Sequence, residues 1–321
     1  MNNIAEIKQE ILDGKKLNQE EALTIINTFQ PQEIYQLADE LKHHYFGNSV
    51  EFCSIANAKS GLCSEDCKWC SQSVHHEANV STYDMIGKEK TVNLAKENEQ
   101  QDVNRFSLVT SGRTVTDEEL DQLIGLYQSV QDETELNLCA SMGLLSKDQL
   151  QKLWDAGVRH YHCNIETAPS YFEKLCTTHT IEEKLETIRN AQELGMTICS
   201  GGIIGMGESM EQRMEMAVFI QEMKIESIPI NFLNPIEGTP LQNTPLISDD
   251  EILLTVAMFR IINPKCRIRI AGGRDRLNND MQKKLLRSGV CSLLVGDYLT
   301  TLGNKIADDK AVVDAIGGKL D

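Results

Sequence analysis

Positive charge is scarce in this sequence. Lys+Arg number 31 against 48 Asp+Glu in 321 residues, a formal net charge of −17. A chain of that sign is not a nucleic-acid binder working by phosphate neutralisation, nor a polybasic membrane anchor. Long apolar runs are missing too. None approaches the ~18 residues of a membrane-spanning helix. The opening Met1-Asn-Asn-Ile-Ala-Glu-Ile-Lys lacks a basic-then-apolar signal region, so a cytoplasmic location is expected. Short-period repeats and low-complexity stretches are absent as well. The apolar fraction is 41%, enough for a large core and too much for a disordered chain. Cysteine is not scarce. In a reducing compartment, ten of them read as ligands or buried thiols rather than disulfides.

The length is about two domains by the ~150-residue prior, although an α/β barrel of this size is normally one. Residues 1–48 read as a helical extension. Ile4, Ile7 and Ile11, then Leu23, Ile26 and Phe29, recur at helical spacing. Pro31 suits a first helical position, leading into Ile34, Leu37 and Leu41. From Val50 onward short strand-like runs alternate with amphipathic ones. Strands are predicted near 50–58, 103–109, 135–141, 158–165, 196–204, 227–233, 267–271 and 291–296. Capping boxes open four of the helices, at Thr116…Glu119, Ser146…Gln149, Thr180…Glu183 and Ser248…Glu251. Gly157, Gly195 and Gly289 follow helices as C-terminal stops. This alternation predicts an α/β fold, a (β/α)8 TIM-type barrel over 49–302. An open doubly wound sheet is the competing arrangement. Residues 303–321 are expected to be a short, polar, peripheral tail.

The strongest motif is Cys63-Ser-Glu-Asp-Cys67-Lys-Trp-Cys70, directly after the first predicted strand. Three thiolates on one loop can hold three corners of a [4Fe–4S] cube and leave the fourth iron open. A zinc site is the alternative. It needs a fourth ligand, which His75 or His76 could supply. A thioredoxin-like pair, Cys67-Lys-Trp-Cys70, is a second alternative, but its strand–helix context is poor. Gly201-Gly-Ile-Ile-Gly-Met-Gly-Glu208 alone reads as a weak phosphate or dinucleotide loop.

The Cys-x3-Cys-x-aromatic-Cys loop resembles the radical S-adenosylmethionine superfamily. There the open iron binds the amine and carboxylate of the methionine moiety, and one electron cleaves the sulfonium to a 5′-deoxyadenosyl radical. A longer ordered set resembles the biotin synthase family within it. The set comprises Cys67-Lys-Trp-Cys-Ser-Gln-Ser73, Asn164-Ile-Glu-Thr167, Cys199 to Glu208 and Pro229-Ile-Asn-Phe232. It continues with Gly238-Thr-Pro-Leu241, Arg269-Ile-Ala-Gly-Gly-Arg274 and Thr300-Thr301. The likeness runs from about residue 35 to 302. It implies sulfur insertion between two unactivated carbons of dethiobiotin, with two radical events per turnover. Such C–H bonds are too strong for acid–base side chains, so a radical cofactor must act on them.

The resemblance also implies roles. Cys63, Cys67 and Cys70 hold the first cluster, and Trp69 lies near the adenine. Asn164 and Glu166 alternate on one strand, so both can face the interior. They would hold the ribose, with Asn164 also near the substrate. The family more often has Asp at position 166. His162 shares their parity and stands where the family usually has Asn. It is either a substrate contact or a buried structural histidine. Asn231 would bond the ureido ring, and Thr300 and Thr301 the substrate carboxylate. The glycine loop, Gly205 included, would bring backbone close to the adenosine.

The family also carries an auxiliary [2Fe–2S] cluster, the sulfur source, on three cysteines and an arginine. Cys139, Cys199 and Arg269 match three of the four. The remaining cysteine position holds Ser107, and a hydroxyl is a poor iron ligand beside a thiolate. Cys53, on the first strand where the family commonly places serine, is the predicted replacement. Cys53, Cys139 and Cys199 are therefore expected to hold the auxiliary cluster, with Arg269 as ligand or hydrogen-bond donor. A thiolate from another strand could support a four-iron variant. Alternation turns Cys163 away from the interior, and Cys176, Cys266 and Cys291 read as ordinary buried thiols. A flavodoxin or ferredoxin electron donor and a homodimer are expected. The rivals are a mutase or hydrogenase-maturation enzyme of the same subgroup, without sulfur insertion, and a metal-carrying scaffold.

Overall fold

The computed structural model describes residues 3–299 and 303–321. Three helices come first, α1 (Ile4–Leu12), α2 (Gln19–Thr28) and α3 (Pro31–Phe46), with Pro31 at the first helical position as its fixed φ suggests. They close one side of the molecule, α3 against α10 (Asp249–Ile262) and α2 against α9 (Met210–Glu222). Ile34 and Leu41 are fully buried there.

The barrel strands are β1 (Ser49–Lys59), β2 (Arg105–Thr110), β3 (Asn137–Ser141), β4 (His160–His162), β5 (Thr197–Cys199), β7 (Ser227–Phe232), β8 (Arg267–Ile270) and β9 (Ser292–Leu294). All pair in parallel, and β9 returns to β1 through Glu51↔Ser292 and Cys53↔Leu294. That last pairing closes the barrel and removes the open-sheet alternative. The outer ring includes α4 (Lys88–Glu99), α5 (Asp117–Gln131), α6 (Lys147–Asp155), the short α7 (Pro169–Phe172), α8 (Ile181–Glu193) and α11 (Asn279–Leu286). All four predicted capping boxes are formed.

One predicted strand, near 196–204, divides into β5 and β6 (Gly202–Ile204), and β6 pairs β7. The break falls where backbones crowd. A Cβ at Gly201 would sit 2.0 Å from the Pro229 carbonyl oxygen, and one at Gly202 2.2 Å from that of Glu166. Only glycine permits these approaches. The C-terminal segment is more than a polar tail. It forms α12 (Ile306–Ala315) and β10 (Lys319–Leu320), which pairs with β1. Val312 and Val313 are buried, and the buried Asp309 accepts from Arg274 Nη1 at 2.8 Å.

Candidate active site

The interior-facing positions of the strands and the loop after β1 line one cavity of about 450 Å3. Its mouth lies at the C-terminal ends of the strands, the usual site face of this architecture. The loop is shaped by its own backbone. Cys63 N donates to Gln72 O at 2.9 Å, Cys70 N to Cys67 O at 2.9 Å and Lys68 N to Leu175 O at 3.0 Å. These turns carry Cys63, Cys67 and Cys70 to the cavity wall. Burial pushes the Cys70 thiol up to about 11. Neither His75 nor His76 lines the cavity. Their rings are turned to backbone carbonyls, Nε2 of His75 to Ser64 O at 3.0 Å and Nδ1 of His76 to Cys70 O at 2.8 Å.

His162, Asn164 and Glu166 all reach the cavity, and so does Cys163, which alternation was expected to turn away, because β4 ends at His162 and the strand geometry does not continue past it. Asn164 Oδ1 accepts from Gly201 N at 3.0 Å, and its amide lies 3.4 Å from Glu166 Oε2. Glu166 sits at φ +70°, a conformation unusual for a non-glycine residue. Its backbone is clamped on both sides, by Glu166 N to Gly201 O at 3.0 Å and Ile203 N to Glu166 O at 2.8 Å. Asn231 is held by Gly272 N donating to Oδ1 at 2.8 Å and by its own donation to Gly202 O at 3.1 Å. Trp69 packs beside Leu175, Met206 and Leu233 at the mouth. Gly205 does not line the cavity. Its N–H donates to Glu208 Oε1 at 2.7 Å, and that carboxylate is held in turn by Arg213 Nε at 2.8 Å. Thr300 and Thr301 lie outside the described residues.

Deeper in the barrel the cavity is lined by Cys53, Ser107, Cys139, Cys199 and Arg269. Cys53 and Cys139 interact across the floor, which lowers the pKa of the Cys53 thiol, with help from Arg269, and together with burial pushes that of Cys139 up. Burial would raise Cys199 as well, but Arg269 and His162 hold it at about 6. Arg269 fans out over three partners. Nε donates to Ser292 Oγ at 2.8 Å, Nη1 to Cys199 Sγ at 3.3 Å and Nη2 to Glu51 Oε2 at 3.0 Å. Burial opposes its charge, yet the thiols of Cys53 and Cys199 and the Glu51 carboxylate raise its pKa further. Ser107 Oγ is buried and without a hydrogen-bond partner among the described residues. Cys53 and Ser107 lie on adjacent strands, with Cys53 level with Arg105 and Ser107 level with Cys139.

Sequence reasoning missed three groups. Glu51 is buried at the barrel floor, taking Arg105 Nε at 2.8 Å as well as Arg269. Lys184, on α8, is buried with its ammonium toward the cavity. Burial opposes its charge, but Cys163, Glu166, Cys67 and Cys176 together raise its pKa. Cys176 is not an ordinary core thiol, since its Sγ lies 3.7 Å from that of Cys67. Two signals were present, Lys184 as a cation on the buried face of an amphipathic helix and His179 three residues after Cys176. Cys266 and Cys291 are held by local groups, Ile225 O at 2.9 Å and Arg260 Nη2 at 3.3 Å, as expected of structural thiols.

Two family models match, the Radical SAM superfamily over residues 59–220 and the Biotin and Thiamin Synthesis associated domain over 229–319. Among solved structures, methylornithine synthase superposes with a TM-score of 0.85 at 19% identity, covering 98% of this chain and 97% of that one. A FeFe-hydrogenase maturase from Carboxydothermus hydrogenoformans gives 0.84 at 18%, covering 99% and 79%. At those identities the likeness speaks for the fold alone. The sequence relatives go further. Biotin synthase of Parabacteroides distasonis is 48% identical over 99% of this chain and 97% of its own length. That of Clostridium tetani is 44% identical over 100% and 99%. Identity of that extent over nearly the whole chain makes it a member of the biotin synthase family.

Proposed function

We propose that the chain inserts sulfur into dethiobiotin to form biotin, drawing it from an auxiliary cluster on Cys53, Cys139 and Cys199. One observation carries the reading. The three thiols on the loop and the three on the floor open into a single cavity. The donor sets fit two iron–sulfur clusters. Each offers three cysteines, and the deeper set lies where Ser107 Oγ and the charged Arg269 leave polar groups facing the interior. When bound, the first cluster and S-adenosylmethionine supply homolytic hydrogen abstraction from an unactivated C–H bond.

The chain's own residues bind, orient and exclude water. Cys63, Cys67 and Cys70 would hold the four-iron cluster. Lys184, which lines the cavity with Glu166 and Cys67, would take the methionine carboxylate. Glu166 and Asn164 would accept and donate to the ribose, and Trp69 would cover the adenine. Gly205 would act only indirectly, by letting its loop turn at φ +94°. Asn231 would bond the ureido ring, with His162 at the substrate's side and Thr300 and Thr301 at its carboxylate. The apolar mouth formed by Trp69, Leu175, Met206 and Leu233 limits the access of water to the cavity. Arg269, fully charged, serves the floor as a hydrogen-bond donor to Cys199. We further propose a cytoplasmic homodimer reduced by a flavodoxin or ferredoxin, divided as 1–48, 49–302 and 303–321. The ten unpaired cysteines suit a reducing compartment.

The test is iron, acid-labile sulfide and zinc per chain after anaerobic reconstitution, then one reduced turnover with S-adenosylmethionine and dethiobiotin. About eight irons support a four-iron auxiliary cluster and about six a two-iron one, with biotin formed as sulfide is lost. About four irons, with 5′-deoxyadenosine but no biotin, would overturn the reading in favour of a mutase-type enzyme.

A further inference from the structure

Cys176 follows α7 and meets the cysteine loop from across the cavity mouth. Its Sγ lies 3.7 Å from Cys67 Sγ. The buried His179 brings its ring to the same sulfur, with Nδ1 at 3.3 Å and Nε2 at 3.8 Å. Donor atoms of Cys67, Cys176 and His179 all lie within 4.8 Å of one another. A tetrahedral ion with bonds of about 2.3 Å to sulfur and about 2.0 Å to nitrogen has S···S edges of about 3.8 Å and S···N edges of about 3.5 Å. The Cys67–Cys176 separation matches the first edge, and Cys176–Nε2 is within about 0.3 Å of the second. Glu65 adds the supporting group. Its buried carboxylate oxygen Oε2 stands 2.5 Å from His179 Nδ1 and accepts from Thr178 Oγ1 at 2.8 Å. A proton held on Nδ1 leaves the Nε2 lone pair free, as in carboxylate–histidine–metal arrangements.

We propose that Cys67, Cys176 and His179 bind one thiophilic divalent cation, Fe2+ or Zn2+, in the chain that carries no four-iron cluster. Cys67 belongs to both sets, so the mononuclear site and the cluster exclude each other. Only that exclusion rests on the cluster assignment made above. The site itself rests on three side chains and their carboxylate.

The probe is Co2+, titrated anaerobically into the full-length chain stripped of iron. One equivalent should bind, with the visible bands of a tetrahedral ion and thiolate-to-cobalt charge transfer. Cys176→Ser and His179→Gln should each remove that spectrum. Cys63→Ser and Cys70→Ser should leave it unchanged. Glu65→Gln keeps all three ligands, and should weaken binding roughly 10- to 100-fold. Far-ultraviolet circular dichroism checks that each variant is folded, and Glu65→Gln decides the matter if a ligand variant is not. A spectrum that survives Cys176→Ser and His179→Gln, or is lost in Cys63→Ser and Cys70→Ser, would overturn the proposal.

Cluster assembly then separates the two ions. If one equivalent of Fe2+ speeds assembly only when Cys176 is present, the site takes iron. If Zn2+ blocks assembly only when Cys176 is present, it takes zinc. Assembly indifferent to Cys176 with either ion refutes the sharing of Cys67. The iron count that tests sulfur insertion does not depend on Cys176, so the two ideas fail separately.

Discussion

Glu51→Gln is the sharpest perturbation of the barrel floor. Glu51 is 4% exposed and faces Arg105 Nε at 2.8 Å and Arg269 Nη2 at 3.0 Å. Arg267 adds a weaker contact at 3.7 Å, but its own closer partner is Asp321 at 2.7 Å. Two unit charges 3 Å apart attract by about 5 kcal/mol at an effective dielectric of ~20, before desolvation is subtracted. Removing one member of a buried pair instead costs about 3–5 kcal/mol, because the other charge is left uncompensated. Glutamine keeps one acceptor oxygen, so the expected loss is at the low end, about 3 kcal/mol. Urea unfolding of the cluster-free chain at neutral pH measures it. The double variant with Arg269→Met should recover part of the loss, since the stranded guanidinium is then gone. A Glu51→Gln chain within about 1 kcal/mol of the parent would refute the reasoning, as would strict additivity in the double variant.

Other outcomes follow from the same geometry. Cys53→Ser should keep about four irons and lose the auxiliary iron and sulfide; full retention of both would end the Cys53 assignment. Lys184→Met should raise the KM for S-adenosylmethionine by roughly 10- to 100-fold, for one charged contact worth ~1.5–3 kcal/mol, with iron content unchanged. An unchanged KM would rule out the carboxylate contact. Burial and Arg105 hold His160 at about 4, below the usual 6.5. A depressed pKa favours the folded state above 6.5, and that share of stability is lost as pH falls from 6.5 through about 4. His160→Gln should flatten the stability–pH curve in that window, and an unaltered slope would show that His160 is not its source. Arg269→Lys keeps the charge but not the three-way fork, so auxiliary iron should be partly retained, whereas Arg269→Met should abolish it. Equal iron in the two would remove charge as the reason for an arginine there.

The sequence carried most of the fold because its local signals agree with one another. Thr116, Ser146, Thr180 and Ser248 announce their helices by chemistry that acts over three residues, and all four caps form. The eight strand runs match eight barrel strands. Closure, Cys53 to Leu294, is a pairing over more than two hundred residues and was inferred from strand number alone. The β5/β6 break was hidden because it arises from Gly201 meeting Pro229, a contact no local window contains. The same division holds at the site. Parity foretold that His162, Asn164 and Glu166 reach the cavity, though not that Cys163 does. Glu51 with Arg269, and Cys176 with Cys67, are partners 218 and 109 residues apart. The only local signal beside Cys176 is His179 three residues on, a Cys-x2-His spacing.

Charge explains why the floor holds an arginine and a glutamate together. Iron ligation requires Cys53, Cys139 and Cys199 all to be deprotonated. With Glu51 that makes four negative groups, facing Arg105 and Arg269 in a region where all three thiols and Arg269 are buried. Water cannot supply the missing positive charge there. A core carrying about two positive charges can, whether it has two irons or four. The thiols of Cys53 and Cys199 and the Glu51 carboxylate favour the charged form of Arg269, which donates to Cys199. On the proposed reading the thiolates would bind iron, while the guanidinium would hold one of them, Cys199, as an anion ready to do so.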